Sequence, residues 1–337
     1  MNTSAPGPDD FGDIGAAIGR LARARVLVVG DAMLDRYIFG RVLRMSPEAP
    51  VPVLAMSSEH DEPGGAGNVV HNLCALGAAT AFVSVVGDDA AGAELTGLIG
   101  SQPGVEPWLL VQGGRVTTVK TRYVAEGSRQ GGQQLLRTDR EDTRAVHPKL
   151  AERLVRIARD AMAATSVVVL SDYRKGVLAG DVPAQLIAAA HAAGRRVVVD
   201  MRAGDFARYA GADVLVPHRN DLANHADGPP EGDEAIAAAA QALRAAHGIG
   251  AVLVKRGEEG LSLVDAAGAA HFRLDPARLV DLSGAGDAAV ATLAAGLAAG
   301  LPVRLAAMLA NAAAGAAGAQ PGTCVVRTED LHGAVLG

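Results

Sequence analysis

Short, continuously apolar runs alternate with alanine-rich stretches along most of this chain. Arg25-Val-Leu-Val-Val29, Ala81–Val86, Ser166–Leu170, Arg196–Asp200, Val214–Pro217 and Ala251–Lys255 lack polar alternation and stop at polar or glycine residues. Runs of that kind read as strands covered on both faces. Ala151–Ala164, Val182–Ala193 and Asp233–His247 read as helices between them, and Ile14–Ala24 as a helix near the start. Strand and helix in alternation predict βαβ units, and so an α/β fold with a doubly wound, mostly parallel sheet flanked by helices. The strands end in Gly30-Asp31, Gly87-Asp88, Ser171-Asp172, Asp200 and His218. Ligands of open α/β sheets bind at those carboxyl ends.

Two regions break the pattern. Tyr37–Ser57 carries Pro47, Pro50 and Pro52 among β-branched residues, and Arg115–Arg137 alternates polar and apolar positions around a glycine-rich turn at Gly127–Gly132. Both are expected to form short antiparallel strands outside the main sheet, together a small β lid. No internal repeat or linker is visible. The expected organisation is a disordered tail over residues 1–13 and a single domain over 14–337, with lid strands at about 36–57 and 115–137.

Composition narrows the function. With 49% hydrophobic and 20% charged residues in 337, the chain can bury a large core, and general disorder is excluded. The net charge of -6 gives no basic excess for nucleic acid or an anionic membrane, and 3% aromatic residues leave little for base stacking. Two cysteines, Cys74 and Cys324, exclude a disulfide framework and suit a reducing, cytoplasmic compartment. The first residues lack the basic start and apolar centre of a signal peptide. The most apolar stretch, Ala288–Val303, falls short of the roughly 18 residues of a membrane span. A small-residue helix packed on the sheet explains its Gly296 and Gly300 better. The expected partners are small molecules.

Asp281-Leu-Ser-Gly-Ala-Gly-Asp287 runs directly into that helix. A Gly-Ala-Gly turn opening a helix presents unpaired N–H groups at the positive end of a helix dipole, which makes an anion hole. A carboxylate beside it would repel bound phosphate unless it serves as base for a hydroxyl attacking that phosphate. Gly284 and Gly286 equally suit a tight turn with Asp287 as cap. Pro63-Gly-Gly-Ala-Gly-Asn68 is a second glycine-rich helix start, where Asn68 offers both donor and acceptor. Gly30-Asp-Ala-Met-Leu-Asp35 places two carboxylates after the first strand, suited to vicinal sugar hydroxyls or to solvation. Lys120 and Arg122 share one face of a strand, and Arg137 and Lys175 follow in two further polar segments. These four cations suit one dianion, as well as ordinary surface charge. No Walker P-loop, HExxH, GxSxG or early GxGxxG pattern is present, and the histidines show no metal spacing.

Together these segments resemble the ribokinase (PfkB-type) family of carbohydrate kinases, in order from roughly Arg25 to Leu331. Within that family, Gly30–Tyr37, Ser46-Pro-Glu-Ala-Pro-Val-Pro-Val53, Gln133-Gln-Leu-Leu-Arg137, Leu170-Ser-Asp-Tyr-Arg-Lys-Gly176 and Asn311–Gly315 look most like the D-glycero-D-manno-heptose 7-phosphate kinase branch. The resemblance implies a ribokinase-like sheet with a β lid used as a homodimer clasp. It implies Asp287 as catalytic base and Gly284, Ala285 and Gly286 as anion hole. Sugar-phosphate contacts are implied for Asp31, Asp35, Gly64, Gly65, Asn68, Lys120, Arg122, Gln134, Arg137, Asp172 and Lys175. His218, Asn220, Lys255, Gly257, Gly260 and Asn311 would lie by ATP. Asp221 would serve Mg²⁺ through water, and Asp281 and Ser283 a monovalent cation, K⁺.

Four positions depart from the family's pattern. Pro217-His-Arg-Asn-Asp221 stands for Pro-Asn-x-x-Glu, Asp200-Met-Arg202 for Asp-Pro-Lys, Ala288 for a Thr, and Gly67 for an Ala. The implied activity is ATP-dependent phosphorylation of the anomeric hydroxyl of a heptose 7-phosphate. A kinase for another sugar or sugar phosphate, or a catalytically weak sugar-phosphate-binding paralogue, are the alternatives. The sheet pattern alone would also admit a nucleotide-binding oxidoreductase, which the missing GxGxxG disfavours.

Overall fold

The structure, a computed structural model, describes residues 13–127, 132–202, 205–225 and 228–336. The expected tail and the centre of the Gly127–Gly132 turn lie outside these residues. The strands are β1 (Arg25–Gly30), β2 (Ala32–Met45), β3 (Pro52–Gly65), β4 (Ala79–Gly87), β5 (Val105–Gln112), β6 (Val119–Ala125), β7 (Gln133–Arg140), β8 (Val167–Asp172), β9 (Arg196–Met201), β10 (Val214–Val216), β11 (Ala251–Lys255), β12 (Leu261–Asp265) and β13 (Gly268–Phe272). The helices are α1 (Ile14–Arg20), α2 (Ala66–Ala75), α3 (Ala90–Gly100), α4 (Pro148–Ala161), α5 (Val182–Ala192), α6 (Gly232–His247), α7 (Ala285–Ala298), α8 (Val303–Gly318) and α9 (Thr328–Leu336).

The larger sheet has the order β13-β12-β11-β10-β9-β8-β1-β4-β5. It is parallel from β11 to β5, and β12 and β13 add an antiparallel edge that the sequence reading did not anticipate. Alternation across the strands divides the core in two. Val26 and Val28 of β1 join the cluster packed by α1, α2, α3, α7, α8 and α9, whereas Leu27 and Val29 join the one packed by α4, α5 and α6. The apolar runs are continuous because both faces are covered. Chain order reverses between β1 and β8, so their carboxyl ends open the crevice where such sheets take ligands.

The second sheet has the order β3-β2-β6-β7. Its strands are longer than expected: β2 and β3 have 14 residues each and reach Ala32 and Gly65 at the crevice. Each region pairs antiparallel as expected, β2 with β3 and β6 with β7, and the two pairs join through parallel β2 and β6. The first half of β2 is buried and its last five residues are exposed, so the strand starts in the core and ends in solvent. Among the described residues no helix is long and apolar enough to cross a membrane.

Candidate active site

Helix α7 is nearly all alanine and small residues because it is buried on almost every side, against α2, α8 and the sheet. It begins at Gly284, whose φ of +77° suits glycine, and Asp287 sits in its first turn, where the dipole favours a carboxylate. A Cβ on Gly284 would stand 2.9 Å from Asn68 Nδ2. That close approach brings α2 to Asp287: Asn68 Nδ2 donates to Asp287 Oδ2 at 2.8 Å. Asn68 is itself held by Asn72, which donates to its Oδ1 at 3.1 Å and its carbonyl at 3.0 Å. Tyr173, after β8, donates its phenol proton to Asp287 Oδ1.

Asp287 is 7% exposed. Burial, and next the charge of Asp200, push its carboxyl up to about 6, while the bonds from Tyr173 and Asn68 and the charge of Lys255 pull the other way. Of the expected anion-hole amides, the Ala285 N–H is already given to Leu282 O at 3.2 Å. Among the described residues no partner is found for the N–H groups of Gly284, Gly286 and Asp287, which leaves donors at the start of α7.

Two cavities meet at this helix end. One, of about 360 Å³, is lined by Asp35, Gly65, Lys120, Arg122, Arg137, Tyr173, Lys175, Arg202, Ser283, Gly284, Asp287 and Thr323. The four cations singled out in the sequence therefore do converge. Each also meets a carboxylate: Lys120 with Asp139 at 2.8 Å, Arg137 with Asp139 at 2.9 Å, Arg122 with Asp35 at 3.0 Å, and Lys175 with Glu141 at 2.6 Å. Arg122 Nη1 and Asp35 Oδ1 form an ion pair on the cavity wall. Gly64 lies beside this wall, and a Cβ there would meet Asp35 Oδ2 at 2.6 Å.

The other cavity, of about 230 Å³, is lined by Arg202, His218, Lys255, Gly257, Gly260, Leu274, Ala285 and Gly286. Lys255 Nζ is paired with Asp200, both buried. Leu274 also lines a third cavity of about 900 Å³ between β13, α8 and α9, which contains Asn311. Asn311 donates to Arg273 O at 3.0 Å, and its Oδ1 is buried with no partner. An amine of a bound base would satisfy that acceptor. Burial lowers the proton affinity of His218 below the ordinary imidazole value. The His218 N–H donates to Asp221 Oδ2 at 2.8 Å, closing the turn after β10.

Several expected contacts are redirected. Asp31 is buried and lines neither cavity: its oxygens accept from the N–H groups of Tyr173 at 2.9 Å, Lys175 at 3.0 Å and Val177 at 3.0 Å. Asp172 likewise turns inward, accepting from Arg174 N at 2.7 Å and from Tyr209. Both carboxylates hold the loop after β8. Gln134 is exposed on β7 opposite Val124, and Asn220 lines neither cavity, its N–H going to His218 Nδ1 at 3.2 Å. Asp281 Oδ1 accepts from Ser283 N–H at 2.9 Å and Oδ2 from Gly322 N–H at 3.0 Å, tying two loops together. Among the described residues no three His, Cys, Asp or Glu gather to hold a metal.

Sequence reasoning missed Tyr173, Arg202, Thr323, Asp139 and Glu141. The first lies within the Leu170–Gly176 segment, and Arg202 follows Asp200 at a strand end, which was the available signal. Arg202 lines both cavities and its guanidinium sits 5.2 Å from the centroid of the Tyr173 ring.

The sequence pattern of the pfkB family carbohydrate kinases matches residues 23–329. The chain is 56% identical over 326 residues to the bifunctional protein HldE of Acidiphilium cryptum (strain JF-5), covering 97% of this chain and 66% of that protein. It is 47% identical over 288 residues to the bifunctional protein HldE of Paramagnetospirillum magneticum (strain ATCC 700264 / AMB-1), covering 84% and 58%. The chain thus spans less than two thirds of the length of these relatives. Among solved structures, phosphofructokinase-2 from Escherichia coli in complex with fructose-6-phosphate matches with a TM-score of 0.72 and 20% identity, over 93% of this chain and 98% of that one. Arabidopsis thaliana ribokinase complexed with ribose and ATP matches with a TM-score of 0.68 and 20% identity, over 93% and 99%. These last two likenesses establish a ribokinase-like fold.

Proposed function

The chain belongs to the pfkB family of carbohydrate kinases, and from that premise we propose that it moves the γ-phosphoryl group of ATP to the anomeric hydroxyl of a heptose 7-phosphate, giving the 1,7-bisphosphate and ADP. The observation that carries the reading is one cavity lined both by Asp287 and by Lys120, Arg122, Arg137 and Lys175. A base and a cluster of cations in one cavity suit a sugar phosphate. The relatives matched at 44% identity or more are bifunctional proteins of which this chain spans only part, and only the kinase step is proposed for it.

Phosphoryl transfer needs positioning and charge neutralisation more than covalent chemistry. Asp287 accepts the proton of the attacking hydroxyl. The free N–H groups of Gly286 and Asp287 and the Arg202 guanidinium face the phosphoryl group in passage between the two cavities. Asp139 and Glu141 hold the cations until the sugar phosphate replaces them as partner. The nucleotide lies along His218, Lys255, Gly257 and Gly260, with its base toward Asn311 Oδ1. Mg²⁺ would neutralise charge on the ATP phosphates, and Asp221 would help hold it through water. A monovalent cation beside Asp281 and Ser283 would brace the loops that Asp281 already joins. The lid pairs with a second copy through its apolar distal residues. Incubation with ATP and a panel of sugar phosphates tests the reading, with ³¹P NMR locating the new phosphate. A new anomeric phosphate on heptose 7-phosphate supports it, and sole turnover of another sugar phosphate moves the chain to that substrate.

A further inference from the structure

Asp287 is gripped from two sides by partners of different kinds. Asn68 is buried, locked by Asn72, and does not line the sugar cavity. Tyr173 does line it, so its phenol meets the reacting carboxylate from the side at which the sugar arrives. Its backbone is fixed independently of that bond, because the N–H of Tyr173 donates to Asp31 Oδ2 at 2.9 Å. Arg202 covers one face of the ring, 5.2 Å from its centroid, which leaves the phenol little room to swing.

We propose that Tyr173 is a positioning residue for the base: its phenol fixes the Oδ1 edge of Asp287 and sets how readily that oxygen takes the sugar's proton. A carboxylate oxygen has a second lone pair, so Oδ1 receives the sugar hydroxyl while still bonded to the phenol. The inference rests on the reading of Asp287 as base.

The charged groups around the pair are Asp200 in β9, Arg202 just after it, Lys255 in β11 and Asp31 just after β1, and Asp35, Lys120, Arg122, Arg137 and Lys175 line the same cavity. Burial, then the charges of Asp287 and Asp200, raise the Tyr173 phenol well above its ordinary value, so it stays a donor at every working pH. Its bond favours the charged form of Asp287. Loss of the bond therefore makes the carboxyl harder to ionise, and a stronger donor makes it easier.

The test is log kcat/KM for the sugar against pH in the parent enzyme, in Tyr173→Phe, and in enzyme carrying 3-fluorotyrosine at position 173. The acid limb should move up by about one pH unit in the phenylalanine variant, the scale of a hydrogen bond to a charged group. It should move down in the fluorotyrosine enzyme, whose phenol is a stronger donor of nearly the same shape. The KM for ATP should not change. An unmoved limb in the fluorotyrosine enzyme overturns the proposal, as does a loss in Tyr173→Phe that is uniform with pH. If the phenylalanine variant fails to fold, the fluorotyrosine enzyme decides. Turnover of a different sugar by the parent changes only the substrate on which the limbs are measured. Parent-like turnover by Asp287→Asn removes the base and the proposal with it.

Discussion

Asn68 and Asp287 lie 219 positions apart in the chain, and a 2.8 Å hydrogen bond from Nδ2 to Oδ2 joins them. One comes from the glycine-rich start of α2 and the other from that of α7, so the two glycine-rich segments of the sequence are halves of one site. The glycines let the two helix ends approach, and the approach orients the carboxylate.

The pH dependence of catalysis should show that carboxylate. Its proton affinity is raised to about 6, so Asp287 is ionised above that pH and protonated below it. The kcat/KM of the free enzyme should be flat above the limb and fall about tenfold per unit below it. A limb near the ordinary carboxylate value of 3.8 would remove Asp287 as the titrating base.

Replacement of the base should separate activity from stability. Asp287→Asn should bind both substrates and lose roughly 10²–10⁴-fold in kcat. The folded chain holds this proton up to about pH 6, whereas the unfolded chain releases it near 3.8, so the group's contribution to stability falls as pH rises through that window. Asp287→Asn should therefore melt higher than the parent at pH 7.5, with the difference vanishing near pH 4. A lower melting temperature at pH 7.5 would show that the carboxylate's hydrogen bonds outweigh its burial.

Recognition of the remote phosphate should reside in the lid cations. Removing the 7-phosphate from the sugar should lower kcat/KM by orders of magnitude, since binding energy at one end positions the other. Arg122→Ala should abolish most of that preference while changing turnover of the unphosphorylated sugar little. Equal kcat/KM for both sugars in the parent would refute the dianion site.

Gly284→Ala tests the close approach. The new methyl group would stand 2.9 Å from Asn68 Nδ2 and from Thr323 Cγ2, on a backbone of positive φ. The strain should cost about 1–2 kcal/mol. Because the displaced group is the partner of Asp287, kcat should fall tenfold or more, while the KM for ATP moves less. A parent-like kcat would mean that Asn68 does not orient the base.

The lid should hold two chains together. Leu43, Met45, Val51, Met56 and Leu136 are between 50% and 71% exposed on its distal part. Leu136→Asp should convert a dimer to a monomer in sedimentation velocity. A monomeric parent at micromolar concentration would refute the clasp.

What the sequence shows plainly is whatever burial imposes on neighbouring residues. The parallel strands are legible because both faces are covered, which removes alternation from the run itself. β12 and β13 are less so, because each has only five residues and β13, at the sheet edge, is only partly buried. The lid strands were read too short: Ala32–Leu34 and Pro63–Gly65 are buried like core residues, and only the distal parts look like a hairpin. The base and its glycine turn are written in seven consecutive residues. Tyr173, Arg202, Asp139 and Glu141 are single polar residues at strand ends, and only the assembled crevice gives them partners. Asp31 and Asp172 read in the sequence as sugar contacts, but a strand-end carboxylate can serve a ligand or a loop, and both accept hydrogen bonds from the loop after β8.

Strand β2 carries Asp35 on the sugar cavity and, ten positions on, an exposed Met45 at its tip. A second copy docked on the distal half would limit how the whole strand tilts, and so how Asp35 meets the sugar. Substrate affinity and self-association would then be linked equilibria. Dilution of the enzyme would weaken its grip on the sugar, and saturating sugar would tighten the pair of chains.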